Sequence, residues 1–284
     1  MTSHRLLFVH AHPDDEASKG AATAARYVDE GAEVVLVTCT GGEAGEVLNP
    51  SAEVVAPEQL PSVRAAELAA AVDAIGFTRT YGLGYRDSGF HEDPADVPEG
   101  TFARVPLDEP STEFAELIRT ERPHVVVTYP ENGGYPHPDH IMTYLVTMRG
   151  LELAEDPWAP VSGEPWRVPK VYASTVFTAE RVHALHEAML EHQGDSPYDR
   201  WLKRLEERPA PPRPDAWIDV GDWLERRDAA LRAHVTQIDP DSFWFAVPRD
   251  LERAVFPYEG FLLLRTDVST QPPEDDLFAG LDLE

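Results

Sequence analysis

The chain has 284 residues, of which 51 are acidic and 24 basic, a formal net charge of −27 that repels extended phosphate backbones and anionic membrane surfaces alike. A hydrophobic fraction of 42% suits a globular chain, and the length suits one α/β domain with additions, taken here as residues 1–284. Lone Cys39 excludes an internal disulfide, and the first apolar run is too short for a signal segment or for a membrane span of about 20 residues, so a cytoplasmic enzyme is expected.

Residues 6–10 form a continuous apolar run, as in a strand buried on both faces. Small residues from Gly20 to Ala25, continued by residues 26–30, read as a helix that Gly31 can end. A second strand at 33–38 completes a βαβ unit, which favours a parallel sheet. Past the glycines at 41, 42 and 45, residues 61–75 have helical periodicity and stop at Gly76. A weaker strand is expected at 79–83, an acidic loop at 87–110, a helix at 112–122 and a buried strand at 124–129. Another helix follows at 141–153, then a Pro- and Trp-rich surface excursion at 156–169. A strand at 170–177 and a helix to about 191 come next. Residues 208–214 read as a rigid linker, 220–237 as a helix and 260–265 as a last strand. The acidic tail, 272–284, is expected to be partly disordered. The whole reads as a Rossmann-like, mainly parallel sheet flanked by helices, a three-layer sandwich with C-terminal additions.

The first strand ends in His10-Ala-His12-Pro-Asp14-Asp15-Glu16, at the strand end where α/β proteins place their ligands. His12 and Asp15, three apart across a turn, can converge on one ion, and Asp14 can face water without ligating. The strand at 124–129 leads into Asn132-Gly-Gly-Tyr135-Pro-His137-Pro-Asp139-His140, where His140 completes a His2Asp set. Three protein ligands leave a position open, as in catalytic rather than structural zinc. The same donors also suit Fe2+. A lone His-x-x-Asp is common by chance, but two dense His/Asp loops, each after a strand, are not.

Other candidates read more simply. His10 lies within its strand and is expected to be buried and hydrogen-bonded. His183 and His186 share a helix face with no carboxylate in view and are expected to be solvated. Cys39 reads as a buried structural thiol. The first βα turn lacks Gly-x-Gly-x-x-Gly, which disfavours a nucleotide-binding oxidoreductase.

The pair His12-Pro-Asp-Asp-Glu16 and His137-Pro-Asp-His140 resembles the LmbE/PIG-L family of zinc-dependent deacetylases and amidases. The resemblance implies a Rossmann-like fold and hydrolysis of an amide on a glucosamine nitrogen. It also implies His12, Asp15 and His140 as zinc ligands, Asp14 as general base, and His137 as acid or electrostatic stabiliser oriented by Asp139. Further segments resemble the branch that cleaves S-conjugates of mycothiol. They include Ser18-Lys-Gly-Ala-Ala-Thr23, Val37-Thr-Cys-Thr-Gly-Gly-Glu43, Ser196-Pro-Tyr198, His234-Val-Thr-Gln-Ile-Asp-Pro240 and Asp275-Asp-Leu-Phe-Ala-Gly280. The implied substrate is an S-conjugated N-acetylcysteine amide of glucosaminyl-inositol, a small pseudo-disaccharide, met in detoxification or in antibiotic biosynthesis. On that expectation Tyr135 joins the oxyanion donors, Arg64 and Asp87 bind the sugar, Lys19 receives the acyl-cysteine side, and Glu43 and Gln237 form the site wall. The rivals are an N-acetylglucosaminyl-inositol deacetylase and a non-catalytic metal- or sugar-binding protein.

Overall fold

The computed structural model describes residues 4–207 and 211–282. Its seven-stranded sheet runs in the order β3-β2-β1-β4-β5-β7-β6. The strands are β1 (Arg5–His10), β2 (Glu33–Thr40), β3 (Arg79–Tyr85), β4 (Val125–Thr128), β5 (Lys170–Thr175), β6 (Ala216–Asp219) and β7 (Tyr258–Thr266). The first five pair in parallel, and β7 lies antiparallel between β5 and β6. The helices are α1 (Asp15–Ser18), α2 (Ala21–Asp29), α3 (Leu60–Ile75), α4 (Asp108–Glu121), α5 (Pro138–Glu155), α6 (Ala179–Gln193), α7 (Asp199–Glu207), α8 (Leu224–Ala233) and α9 (Arg249–Val255).

Side chains alternate across a strand, so the apolar run of β1 feeds two cores. Leu6 and Phe8 face one core with Val34, Leu36, Ala71, Ile75 and Leu231. Leu7 and Val9 face the other with Val35, Val37, Phe114, Ile118 and Val146. Each such buried side chain stabilises by about 1.5–3 kcal/mol, which is why the central strands were legible as unbroken apolar segments. Gly150 lets α4 and α5 approach closely, since a Cβ there would lie 2.7 Å from Phe114 Cδ1.

The chain departs from the sequence reading mainly in its last third. Asp108–Glu121 is already helical, so the acidic loop is shorter than expected and holds two 3-10 turns, Pro94–Asp96 and Phe102–Arg104. The expected helix over 220–237 shrinks to α8, and β6, α7 and α9 are additional. Of the linker, residues 208–210 lie outside the described residues. The tail is ordered as far as it is described, to residue 282, because it has something to bury. Leu277 and Phe278 enter the first core. Glu274, itself buried, accepts from Lys170 Nζ at 2.9 Å and from the Tyr172 hydroxyl.

Candidate metal centre

The strand order turns back between β1 and β4, because the chain leaves β1 outward to β2 and β3 before returning to β4. Loops after such neighbouring strands open a crevice at their C-terminal ends. Residues 11–16 follow β1 and residues 129–140 follow β4, so the two His/Asp loops meet there.

His12, Asp15 and His140 are buried and each offers one donor atom, all within 4.8 Å of one another. The neighbours fix which atoms are free. His140 Nδ1 lies 3.0 Å from the Gly133 carbonyl, which needs the proton on Nδ1. Its Nε2 is then a lone pair, fully buried and without a hydrogen-bond partner. Gly133 has φ +73°, and a Cβ there would sit 2.7 Å from His140 Cβ, so glycine is required for this approach. His12 Nε2 faces the carboxylates of Asp139 at 3.2 Å and Asp87 at 3.5 Å, leaving Nδ1 toward Asp15 at 3.4 Å. A ligand histidine whose second nitrogen donates to a carboxylate is the usual outer support of a metal. Asp15 Oδ2 accepts from Tyr129 OH at 2.7 Å and the His12 amide at 3.0 Å, and Oδ1 pairs with Lys19. An orphaned imidazole lone pair beside an ionised, oriented carboxylate fits a divalent cation.

A second set, His12, His137 and Asp139, is also close enough to converge. It fits less well. His137 Nδ1 already accepts from the Asp139 amide at 3.2 Å, and Asp139 Oδ2 accepts from the Ser88 amide at 2.9 Å.

Charges in the site follow from these contacts. Burial works against a charged His12, yet hydrogen bonds to Asp139, Asp15 and Asp87 lift its pKa well above the ordinary value. Burial likewise opposes ionisation of Asp15, but Lys19 and His140 hold its carboxyl well below the usual range. Asp14 moves the other way, raised by burial and by Asp15 against the pull of Arg64. About a quarter of its side chain is exposed. Burial and the two neighbouring imidazoles push His137 down to about 3.

The cleft above these residues has a volume of about 470 Å³, within the range of small-molecule sites. Its wall includes His12, Asp14, Asp15, Arg64, Asp87, Tyr135, His137 and Gln237. Glu43 is not on that wall, although its Oε2 accepts from the Asp87 amide at 3.1 Å. Lys19 does not face the cleft either. It backs Asp15 and borders a separate, small cavity with Ser174, Trp217 and Glu259, which removes the reason to give it the acyl-cysteine group. Arg64 is 3% exposed, and its guanidinium donates to the Gly42 and Pro13 carbonyls, both at 2.6 Å, and to Asp14 at 3.1 Å. Its hydrogen bonds therefore serve the loops more than a sugar.

Asp139 is also corrected. Its carboxylate supports His12, and it is the Asp139 amide, not the carboxylate, that orients His137. His10 is buried as expected, but neither ring nitrogen has a partner, and burial lowers its pKa to about 4. His183 is exposed, whereas His186 has a carboxylate after all, Asp199 at 3.4 Å. Cys39 is a buried thiol pushed up to about 12 by burial. Sequence reasoning missed Tyr129, taken only as the end of a strand, and Leu48 and Phe90 on the cleft rim. It also left Glu16 without a role, although it belongs to the first motif.

Residues 7–150 match the sequence model of the PIG-L family, described as GlcNAc-PI de-N-acetylase. The mycothiol S-conjugate amidase of Streptomyces coelicolor is 46% identical, over 98% of this chain and 97% of its own length. The 1D-myo-inositol 2-acetamido-2-deoxy-alpha-D-glucopyranoside deacetylase of Geodermatophilus obscurus is 44% identical over 98% of both chains. Among solved structures, the conserved protein TT1542 of Thermus thermophilus has a TM-score of 0.60 at 21% identity, over 93% of this chain and 96% of that one. No helix among the described residues is long and apolar enough to cross a membrane.

Proposed function

The chain belongs to the PIG-L family, and from that premise we propose that it is a metal-dependent amidase acting on an S-conjugate of mycothiol. The observation that carries the reading is Asp14, a carboxylate open to the cleft beside the His12, Asp15 and His140 donors. The 284 residues are taken as one such catalytic unit in the cytoplasm. The ion is taken as Zn2+, with Fe2+ admitted by the same donors.

His12, Asp15 and His140 would hold the ion, which would supply Lewis acidity toward water and the amide carbonyl. Asp14 takes a proton as the water oxygen bonds to the carbonyl carbon. His137, whose Nδ1 accepts a backbone amide, carries its proton on Nε2 and acts as a neutral donor to the developing oxyanion. Tyr135 OH adds a second donor from the cleft wall. The C–N bond then breaks, and Asp14 returns its proton to the leaving glucosamine nitrogen. The products are the S-conjugated N-acetylcysteine and the free amine. Asp87 and Gln237, on the wall, are assigned to the sugar hydroxyls.

The second reading, a deacetylase acting on N-acetylglucosaminyl-inositol, is favoured by 44% identity to such an enzyme. A cleft of about 470 Å³ whose rim carries exposed Leu48, Phe90 and Tyr135 has room for an acyl group bulkier than acetyl. The test is turnover of a bimane conjugate of mycothiol and of N-acetylglucosaminyl-inositol by zinc-replete protein under matched conditions. Faster cleavage of the conjugate is the expected result. Preference for the acetyl sugar selects the deacetylase, and turnover of neither leaves a non-catalytic binding protein.

A further inference from the structure

Asp14 holds a backbone conformation that few side chains adopt, with φ at 101°. Such strain persists only where the surroundings fix it. Arg64 holds the carboxylate and the preceding carbonyl. The Asp14 amide, meanwhile, donates to Glu16 Oε2 at 2.9 Å. Asp14 occupies the N-cap position of α1, but its side chain caps nothing. In a capping box the cap side chain bonds forward while a glutamate reaches back. Here only the reach-back half is made, which leaves the Asp14 carboxylate free for the cleft.

Glu16 is itself 1% exposed, and a buried carboxylate needs a partner. That partner is His234 Nε2, 2.5 Å from Oε1 and 218 residues along the chain. His234, fully buried, ends α8 and begins a strap across the back of the site. Thr236 donates through its amide and hydroxyl to Glu67 at 2.7 and 2.8 Å, and its carbonyl accepts from the Leu48 and Asn49 amides. Glu67 lies one turn beyond Arg64 on α3. The strap therefore joins the Asp14 loop, the Arg64 helix and the cleft wall. It lies outside residues 7–150, the span of the family match.

We infer that Glu16 and His234 form a positioning pair that fixes the Asp14 peptide and so aims its carboxylate into the cleft. The inference rests on Asp14 being the general base. Without His234 the Glu16 carboxylate loses its one buried counterpart, its grip on the Asp14 amide loosens, and φ is free to leave the positive region. The His234 ring bonds to Glu16 and to none of the three metal donors, and changing the ring leaves the bond from the Gln237 amide to the His234 carbonyl in place.

His234→Phe keeps ring volume and removes the hydrogen bond, whereas His234→Gln restores a donor at a similar reach. Expected for His234→Phe are a kcat lower by about 10²-fold, the size of effect that a small misplacement produces, a KM within about threefold and unchanged metal stoichiometry. His234→Gln recovers most of the kcat. A wild-type kcat in His234→Phe, or equal losses in both variants, overturns the pairing. If His234→Phe does not fold, Glu16→Met carries the same expectation, and a wild-type kcat there is equally fatal. Failure of both to fold also overturns it, since the pair then only holds the core together. If wild-type protein turns over neither amide, the proposed function fails separately. A crystal structure of His234→Phe then decides, with Asp14 φ moved out of the positive region expected and an unmoved Asp14 refuting.

Discussion

Replacing Arg64 by methionine separates two roles that a cleft-wall arginine can have. Its guanidinium is 3% exposed and spends its bonds on the Gly42 carbonyl, the Pro13 carbonyl and Asp14. Methionine keeps much of the stem but leaves the Pro13 carbonyl without a donor, while the Gly42 carbonyl keeps the Gly45 amide at 3.2 Å. A buried group left unpaired costs about 1–3 kcal/mol, out of a usual total of about 5–15 kcal/mol. At about 2–4 °C per kcal/mol for a chain near this size, the melting midpoint falls by roughly 2–12 °C. Asp14 also loses its cationic neighbour, so kcat falls while KM moves little. Thermal melts and steady-state kinetics on the same metal-loaded samples read both quantities. A midpoint within about 2 °C of wild type, together with a KM raised tenfold or more, refutes the loop-holding role. Arg64 would then be spending its charge on the substrate.

Asp14→Asn keeps metal stoichiometry while turnover falls by about 10²–10⁴-fold, the range for loss of a general base; an active variant removes Asp14 from the chemistry. Chelation lowers the melting midpoint, and added Zn2+ restores it, because an ion that binds only the folded state adds about 2.7 kcal/mol at a hundred times its Kd. An unchanged midpoint argues against the His12, Asp15 and His140 site. Lys170→Met leaves the buried Glu274 carboxylate without its cation and destabilises by about 3–5 kcal/mol in urea unfolding with kcat unchanged; a smaller effect shows that the ion pair adds little to the other contacts of the tail. Burial and the nearby Arg5 charge lower the His124 pKa to about 4. The folded value lies below the ordinary 6.5, so its stabilising contribution is present above pH 6.5 and lost as pH falls toward 4. An imidazole NMR titration near 6.5 contradicts this.

The sheet order near the site was legible because β1, β2 and β4 are apolar on both faces, and because glycines follow the helices that lead into β2 and β3. Gly76 caps α3 with φ at 90°, as its position after the periodic segment suggested. The three converging donors were legible for a related reason: each lies just past a strand whose end is unmistakable. Legibility fails where identity comes from a distant partner. β6 is four residues long and is a strand by virtue of pairing with β7. No residue of α7 is fully buried, and its short apolar face of Trp201, Leu202 and Leu205 is only partly covered, by the small cluster around Val182 and Met189. Lys19 lies four residues after Asp15, a spacing that allows the pair it makes, but only the folded loop shows it facing away from the cleft. Asp139 was misassigned because the direction of a first-turn side chain depends on what lies opposite, here His12 and Ser88.

The grip of the last third on α2 gives the chain a particular timetable of assembly. Thr23 is held by Glu259, Tyr27 by Asp276, and Asp29 by Trp223 and Arg226, across 194 to 249 residues. Closing such long loops is slow, because chain entropy is lost before the contacts repay it. A ribosome emits the His12 and His140 loops long before α8 and the tail exist. Until then Ala71 and Ile75 lack the α8 apolar residues that complete their core. The segment made first thus carries the His12, Asp15 and His140 donors on an unfinished support, and that support is complete only once α8 and the stretch around Leu277 have been made.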